Sequence, residues 1–294
     1  MIGLVASFVV IGSIAAVYLR GVRARRRRGL ARPSTGAVAA MLAGLTVAAL
    51  VLDGPADTVA DQLFWAHMLQ HLALITVVAP LVVLGEPLRA FEEVLPMSVR
   101  RVAGRLEGQL WARESVARRT AVAGLVISTV ALLAWHTPPA FQAALVSNAL
   151  HALEHLTLLV TAMFFWWPIL TSGLRQRIGT GFAIVEVLIA TTVMTALGAL
   201  LTFSPTVWYP TYEAAERAHG IGALADQQLA GLLMWIPSGM LYLVIIAVLF
   251  VRWIDTDLVT AGGPESRRVR PPERSSAPSH VAPAPPPAGS PTAP

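Results

Sequence analysis

The chain has 294 residues, of which 55% are hydrophobic and only 13% are charged, and its mean hydropathy is +0.63. Soluble globular proteins carry about 25% charged residues, so this composition excludes a soluble enzyme and a nucleic-acid-binding domain in spite of the net charge of +5. Because the chain contains no Cys, disulfides and thiolate metal ligands are excluded as well.

Seven apolar stretches predict an all-α, polytopic membrane protein with seven transmembrane helices. A spanning helix needs about 20 predominantly apolar residues. The first stretch is followed by its positive charges, whereas a signal peptide has them in front, so this stretch is predicted to be a retained helix. The stretches cover roughly residues 1–20, 36–52, 63–85, 120–136, 148–171, 180–203 and 223–253.

The arginines predict the orientation of these helices. Every Arg except Arg217 falls in the first, third or fifth connection or toward the C-terminal end, and the chain has no Lys. The remaining connections are neutral or acidic. Because positive residues concentrate on the cytoplasmic side, we expect a multi-pass protein of a bacterial plasma membrane, with its N-terminus outside and its C-terminus in the cytoplasm.

The chain is predicted to have three parts. Residues 1–35 form a transmembrane helix and an Arg-rich cytoplasmic connection, residues 36–255 form a six-helix membrane domain, and residues 256–294 form a disordered Pro-rich cytoplasmic tail. Residues 97–113 place apolar residues among several Arg, which is typical of an amphipathic helix on the inner leaflet. Membrane lipid is therefore an expected partner, and a solvated loop is the alternative for this segment.

Six of the seven His residues fall at or near the predicted outer face, although they come from distant parts of the chain. The seventh, His280, lies in the tail. His219 is best interpreted as a surface loop residue. The six are His67 and His71 in the third span, His136 at the end of the fourth, His151 and His155 at the start of the fifth, and His219 before the seventh.

The spacing of these residues favours a shared site. The His residues of the third and fifth spans form two i, i+4 pairs, and each pair therefore shares one helix face. Two imidazoles at that spacing can bind one ion. Glu154 lies beside His155, and Asp226 opens the seventh span at a comparable depth. Either carboxylate can bind the ion or orient a His through its second ring nitrogen.

A metal or cofactor site is the hypothesis that this clustering favours, because polar groups inside a membrane face a partner or a cavity. Without thiolate, imidazole suits copper, zinc, iron or nickel, and composition does not separate these metals. A quinone or proton-relay site without a metal is the alternative. The candidate metal ligands are His67, His71, His136, His151, His155, Glu154 and Asp226.

Three ordered motif blocks resemble the CtaG family of cytochrome c oxidase assembly factors, the integral-membrane kind associated with caa-type oxidases. The resemblance covers roughly residues 36–255 and leaves the Arg-rich connection and the tail outside. The blocks are residues 67–71 running on to Pro80 and 84–87; residues 135–139, 151–155 and 165–168; and residues 226–237.

The resemblance implies a role in the maturation of a haem–copper oxidase and not an enzymatic activity. It makes copper the leading metal, with zinc as the alternative, and it implies the catalytic subunit of the oxidase and an outer-face copper chaperone as partners. Two other functions remain open: an intramembrane zinc hydrolase with Asp226 or Glu154 as general base, and an electron-transfer protein with His-ligated haem. The i, i+4 pairs suit a small ion better than haem.

Overall fold

The computed structural model describes most of the chain, and the described residues are helical apart from connections and contain no strand. Most of the predicted tail (256–294) lies outside the described residues, as do Arg175, Arg177, Arg217 and His219, whereas residues 256–261 of the tail are helical. Met1–Trp253 forms one compact unit and Ile254–Pro294 a second, of which residues 254–261 are described and helical. The described ranges are 2–53, 55–111, 113–171, 178–214 and 220–261.

The helices alternate between long spans and short connecting segments. They are α1 (Ile2–Arg27), α2 (Thr35–Leu52), α3 (Pro55–Ala60), α4 (Phe64–Ala73), a π-helical segment (Leu74–Val78), α5 (Ala79–Leu84), α6 (Pro87–Phe91), α7 (Met97–Trp111), α8 (Glu114–Trp135), α9 (Pro138–Leu145), α10 (Asn148–Leu170), α11 (Thr180–Phe203), a 3₁₀ turn (Pro210–Ala214) and α12 (Ala223–Ala261).

Among the described residues, six helical stretches are long and apolar enough to span a membrane, and they correspond to the second to seventh predicted spans. The all-helical, multi-pass fold is therefore confirmed for these six. Helix α1 is not among them, and the side chains of its residues 2–7 lie outside the description, so the first span, in α1, and the orientation of the chain stay predictions. The six are Thr35–Leu52, Phe64–Leu84, Glu114–Trp135, Asn148–Leu170, Thr180–Phe203 and Ala223–Ile254.

Helix α10 lies at the centre of the bundle, between α8 and the stretch formed by the π-helical segment and α5. It begins after Ser147, whose side chain accepts a hydrogen bond from the Leu150 amide and so satisfies one of the free amides at the helix start. Its contact with α8 is close at Gly124, where an added Cβ would lie 2.9 Å from the Phe164 carbonyl oxygen. This contact fixes the second half of α10 against the middle of α8.

The π-helical segment joins α4 and α5 into one continuous span. Its wider hydrogen-bond spacing ends at Pro80. The Ala79 amide donates to the Leu74 carbonyl, five residues back. Pro80 has no amide hydrogen, so the Ile75 carbonyl has no donor in the same register. The indole nitrogen of Trp166 on α10 donates to that carbonyl at 2.8 Å. This bond ties the third span to the central helix one turn below His71.

The predicted amphipathic segment is helical, as α7, so the alternative of a solvated loop is wrong for these residues. Val99 and Val102 are exposed, whereas the side chains of residues 106–112 lie outside the description. Next to α7, the carboxylate of Glu93 is completely buried and forms ion pairs with Arg25 at 3.2 Å and with Arg28 at 2.5 Å. These two arginines therefore lie at the end of the bundle away from the histidines, and the place of α7 on a leaflet stays a prediction.

Candidate metal centre

Helix α4 presents two imidazoles toward the interior of the bundle. His67 and His71 are 0% and 2% exposed, and their Nε2 atoms lie 3.0 Å apart. One turn of helix separates the two residues, which is why their side chains project from the same face. The i, i+4 pair predicted from the sequence is thus directed into the protein and not toward lipid.

Helix α10 places a carboxylate against both imidazoles. The Glu154 side chain is fully buried, with Oε2 3.7 Å from His67 Nε2 and Oε1 3.6 Å from His71 Nε2. These separations are too long for hydrogen bonds. They suit ligand atoms that surround one ion, because metal–ligand bonds of about 2.0–2.2 Å place tetrahedral ligands about 3.3–3.6 Å apart.

The hydrogen bonding of the Glu154 carboxylate also fits a metal ion. Among the residues that the structure describes, neither oxygen of Glu154 has a hydrogen-bond partner. An isolated buried carboxylate is costly unless it is paired or coordinates a metal. Imidazole and carboxylate together form a donor set that suits copper or zinc. The residues therefore fit the implied cargo ion, and His67, His71 and Glu154 would hold it.

A second group of three ligands shares His67 with the first. His67, His151 and His155 each offer a ring nitrogen, and these atoms lie within 4.8 Å of one another, as do those of the first group. The ring centroids of His67 and His151 are 5.0 Å apart, and those of His151 and His155 are 4.4 Å apart. His155 is buried, whereas His151 is partly exposed. The second group therefore extends from the buried cluster toward the surface.

His136 lies beside the cluster without belonging to either group. It follows the last residue of α8, and its Nδ1 donates to the Leu132 carbonyl at 2.7 Å, so its Nε2 carries no hydrogen in the neutral ring. The ring centroid of His136 is 5.7 Å from that of His71. No hydrogen-bond partner for this Nε2 occurs in the described portion of the chain.

Asp226 belongs to neither group of three, and the structure gives it another role. Its Oδ2 and Oδ1 accept hydrogen bonds from the amides of Phe64 and Trp65, at 2.8 and 2.9 Å. Leu63, which precedes α4, has no side chain that could cap the helix. The carboxylate therefore caps the start of α4 from the distant helix α12, and its role at the metal stays a prediction.

An aromatic layer covers the buried imidazoles, and the sequence analysis did not single it out. Phe141 on α9 packs 4.9 Å from His67 between ring centroids, and the Tyr212 hydroxyl lies 3.4 Å from His67 Nδ1. Tyr209 donates to the His136 carbonyl at 2.7 Å and is 2% exposed, so it lies in the interior of the protein. These residues lie in short connections without periodicity, and no signal in the sequence marked them.

Burial raises the pKa of both tyrosines above the ordinary value. For Tyr209 the nearby charge of Glu154 acts in the same direction, and for Tyr212 the charge of Asp226 does so. Both hydroxyls therefore keep their protons at neutral pH. The Tyr209 hydroxyl donates to the His136 carbonyl, and the Tyr212 hydroxyl donates to the Ala60 carbonyl at 3.3 Å, which leaves the Tyr212 oxygen to accept from His67 Nδ1.

The partly exposed side of the cluster is acidic. The carboxylates of Asp57 and Asp61 interact electrostatically with the His151 imidazole, and Gln70 donates to Asp57 Oδ1 at 3.3 Å. Burial raises the pKa of Asp57, while the hydrogen bond from Gln70 and the charge of His151 act in the opposite direction. This surface carries negative charge next to His151, whose side chain is partly exposed although its Nε2 is buried.

Comparison with known proteins assigns the chain that carries this cluster to a family. Residues 16–256 match the family described as cytochrome c oxidase caa3 assembly factor (Caa3_CtaG). The match begins within α1, so the expectation that the Arg-rich connection lies outside the family was wrong, whereas most of the tail does lie outside. The matched range, residues 16–256, includes all of the candidate metal ligands.

Curated relatives are more distant and longer. The uncharacterized proteins Mb0105 of Mycobacterium bovis and MT0111 of Mycobacterium tuberculosis are each 25% identical to this chain over 251 residues, which is 82% of this chain and 37% of each relative. The chain thus spans little more than a third of their length. No solved structure matches the chain significantly. Because the family match extends over most of its length, the chain belongs to the cytochrome c oxidase caa3 assembly factor family.

Proposed function

We propose that this protein holds a copper ion at the His–Glu cluster and delivers it to the catalytic subunit of a haem–copper oxidase in a bacterial plasma membrane. The observation that carries the proposal is the convergence of His67, His71 and Glu154 at ligand spacing in a buried site. Family membership supports copper as the metal, since imidazole and carboxylate alone suit several ions.

The donor set supports a carrier. A carrier must bind its ion firmly and then release it to a partner. The chain has no thiolate to retain copper, and neutral imidazoles can exchange one at a time with ligands of a client protein. The partly exposed His151 lies at the Arg-poor end of the bundle, where an outer-face copper chaperone would deliver the ion and the oxidase subunit would receive it.

The geometry gives less support to a zinc hydrolase. Such an enzyme keeps an open metal position for a water and needs a general base close to it. Both oxygens of Asp226 accept backbone hydrogen bonds, which leaves Glu154 as the remaining candidate base. Glu154 itself lies at ligand distance from two imidazoles, so it is better placed to hold an ion than to activate a water.

Metal analysis of the purified protein tests the proposal. We expect about one copper ion per chain in the wild type after exposure to Cu²⁺ and desalting, and a loss of at least tenfold in His71→Ala. His280→Ala is the control, because it removes the same side chain from the tail. In cells, His71→Ala should also lower cytochrome c oxidase activity, and His280→Ala should not.

Three results would contradict the proposal. A wild type that retains no more copper than His71→Ala would exclude the cluster as a copper site. Zinc as the only retained metal, together with hydrolytic activity, would favour the enzyme. A Soret absorption band in the purified protein would favour haem.

A further inference from the structure

We propose that one ion occupies two successive positions in the cluster, which share His67. The entry position is formed by His67, His151 and His155, and the holding position by His67, His71 and Glu154. The inference rests on the proposed function, since it requires that the cluster binds a metal. It adds a direction to the site, with one end that exchanges the ion and one end that encloses it.

The shared ligand makes the two positions alternatives. His67 Nε2 faces His71 Nε2 at 3.0 Å and Glu154 at 3.7 Å, while its Nδ1 lies 3.4 Å from the Tyr212 hydroxyl. One nitrogen of His67 is therefore engaged by the aromatic layer, and the other faces the two further ligands of the holding position. An ion that passes between the two positions can keep its bond to His67 while the other two ligands are exchanged.

Exposure gives the order of the positions. His151 is partly exposed and His155 is 9% exposed, whereas the three ligands of the holding position are at most 2% exposed. An ion from outside the bundle therefore meets His151 first. The Nε2 atoms of His151 and His155 are both buried and have no hydrogen-bond partner among the described residues, which leaves both nitrogens available for the ion.

Charge favours movement inward. Asp57 and Asp61 act electrostatically on His151, and carboxylates at the mouth of a site raise the local concentration of cations. The entry position itself has only neutral donors. The holding position contains the Glu154 carboxylate, which compensates the charge of the ion in a buried environment, where such attraction is stronger than in water. The ion should therefore rest in the holding position.

The test compares the release of copper from two matched variants, one for each position. Purified wild type, His151→Ala and His71→Ala are loaded with Cu²⁺, desalted and mixed with excess EDTA, and the protein-bound copper is followed with time. Each variant removes one member of an i, i+4 pair. We expect His151→Ala to retain about one copper ion per chain but to load and release it at least tenfold more slowly, because the exchange step is lost.

The holding position should behave in the opposite way. His71→Ala and Glu154→Gln should release any bound copper at least tenfold faster than the wild type, because only the entry position remains. The double variant Asp57→Asn/Asp61→Asn should load more slowly, with the largest difference at low salt, where surface charges are least screened. Glu114→Gln is the control and should load at the wild-type rate, because Glu114 lies at the start of α8 and His136 follows its other end.

The outcomes separate this inference from the proposed function. Faster release from His151→Ala, with the same loss of copper as in His71→Ala, would overturn the two positions and leave a single site. Two copper ions per wild-type chain would also overturn it, because the positions would then be filled together. A wild type without copper would contradict the proposed function itself. His151→Gln is the second variant if His151→Ala does not elute as a single species.

Discussion

At the scale of single residues, Asp226 shows how a side chain of the expected type and depth can serve another purpose. The first amides of a helix have no partner within the helix, and Leu63 does not supply one for α4. The carboxylate of Asp226 accepts from two of these amides and lies at the positive end of the helix dipole. It thereby fixes the turn from which His67 projects.

We predict that Asp226→Ala lowers the stability of the protein by about 2 kcal/mol, because the amides of Phe64 and Trp65 lose a charged acceptor. Thermal unfolding in detergent measures the change. Asp226→Asn is the matched control and should lose less, since its amide oxygen still accepts one hydrogen bond. Unchanged stability combined with a loss of bound copper would show that Asp226 acts as a ligand instead.

We also predict a pH-dependent effect of Asp57→Asn. The pKa of Asp57 is raised in the folded protein, so the neutral carboxyl is favoured there. Its stabilising contribution is present below the unfolded pKa of about 3.9 and is lost as the pH rises through the raised value. Asp57→Asn should therefore raise the melting temperature at pH 7.5 and have a smaller effect at acidic pH.

Glu114→Gln is the comparison for this experiment, since the Glu114 side chain is 64% exposed and its replacement should not produce the same pH-dependent gain. A lower melting temperature of Asp57→Asn at pH 7.5 would show that its ionised form is stabilised by the structure. A higher melting temperature of Asp57→Asn at pH 7.5 would show that the ionised Asp57 beside His151 lowers the stability of the folded protein.

At the scale of elements, close contacts between helices determine which faces meet. Helices α11 and α12 approach each other at Gly198 and Gly231, where a Cβ on Gly231 would lie 2.5 Å from the Gly198 carbonyl oxygen. Small residues allow such approach in membrane helices. The contact lies about one turn beyond Asp226 along α12, and so it holds the residue that caps α4.

Gly231→Ala should destabilise the protein by about 1–3 kcal/mol, because the added methyl group forces the two helices apart. Gly239→Ala is the matched control on the same helix, since its Cβ would meet nothing within 4 Å. We expect a lower melting temperature for the first variant and an unchanged or higher one for the second. Equal melting temperatures would show that α11 and α12 adapt to the extra volume.

At the scale of the whole molecule, the distribution of Arg predicts the topology. A reporter at the N-terminus should lie outside, and fusions along the chain should alternate from inside to outside, because each span reverses the side. Two neighbouring fusions on the same side would contradict seven spans, and an N-terminal reporter inside would leave six. The fusion points are after residues 30, 58, 110, 142, 176 and 214.

The sequence by itself determined the long apolar helices, the gathering of His residues at one end of the bundle and the faces that the i, i+4 pairs share. These follow from local physics, because the length of an apolar stretch and the 3.6-residue repeat do not depend on distant parts of the chain. The family resemblance followed from the same residues and is confirmed by the match over residues 16–256.

Only the tertiary structure decided how those faces are turned toward each other. A repeat does not specify the rotation of one helix against another, which depends on contacts such as that of Gly124 with the Phe164 carbonyl. That rotation brings Glu154 against both imidazoles of α4 and leaves His151 at the surface. It also assigns Asp226 to a helix start 161 and 162 residues away, because free amides are satisfied by whichever acceptor packing brings near.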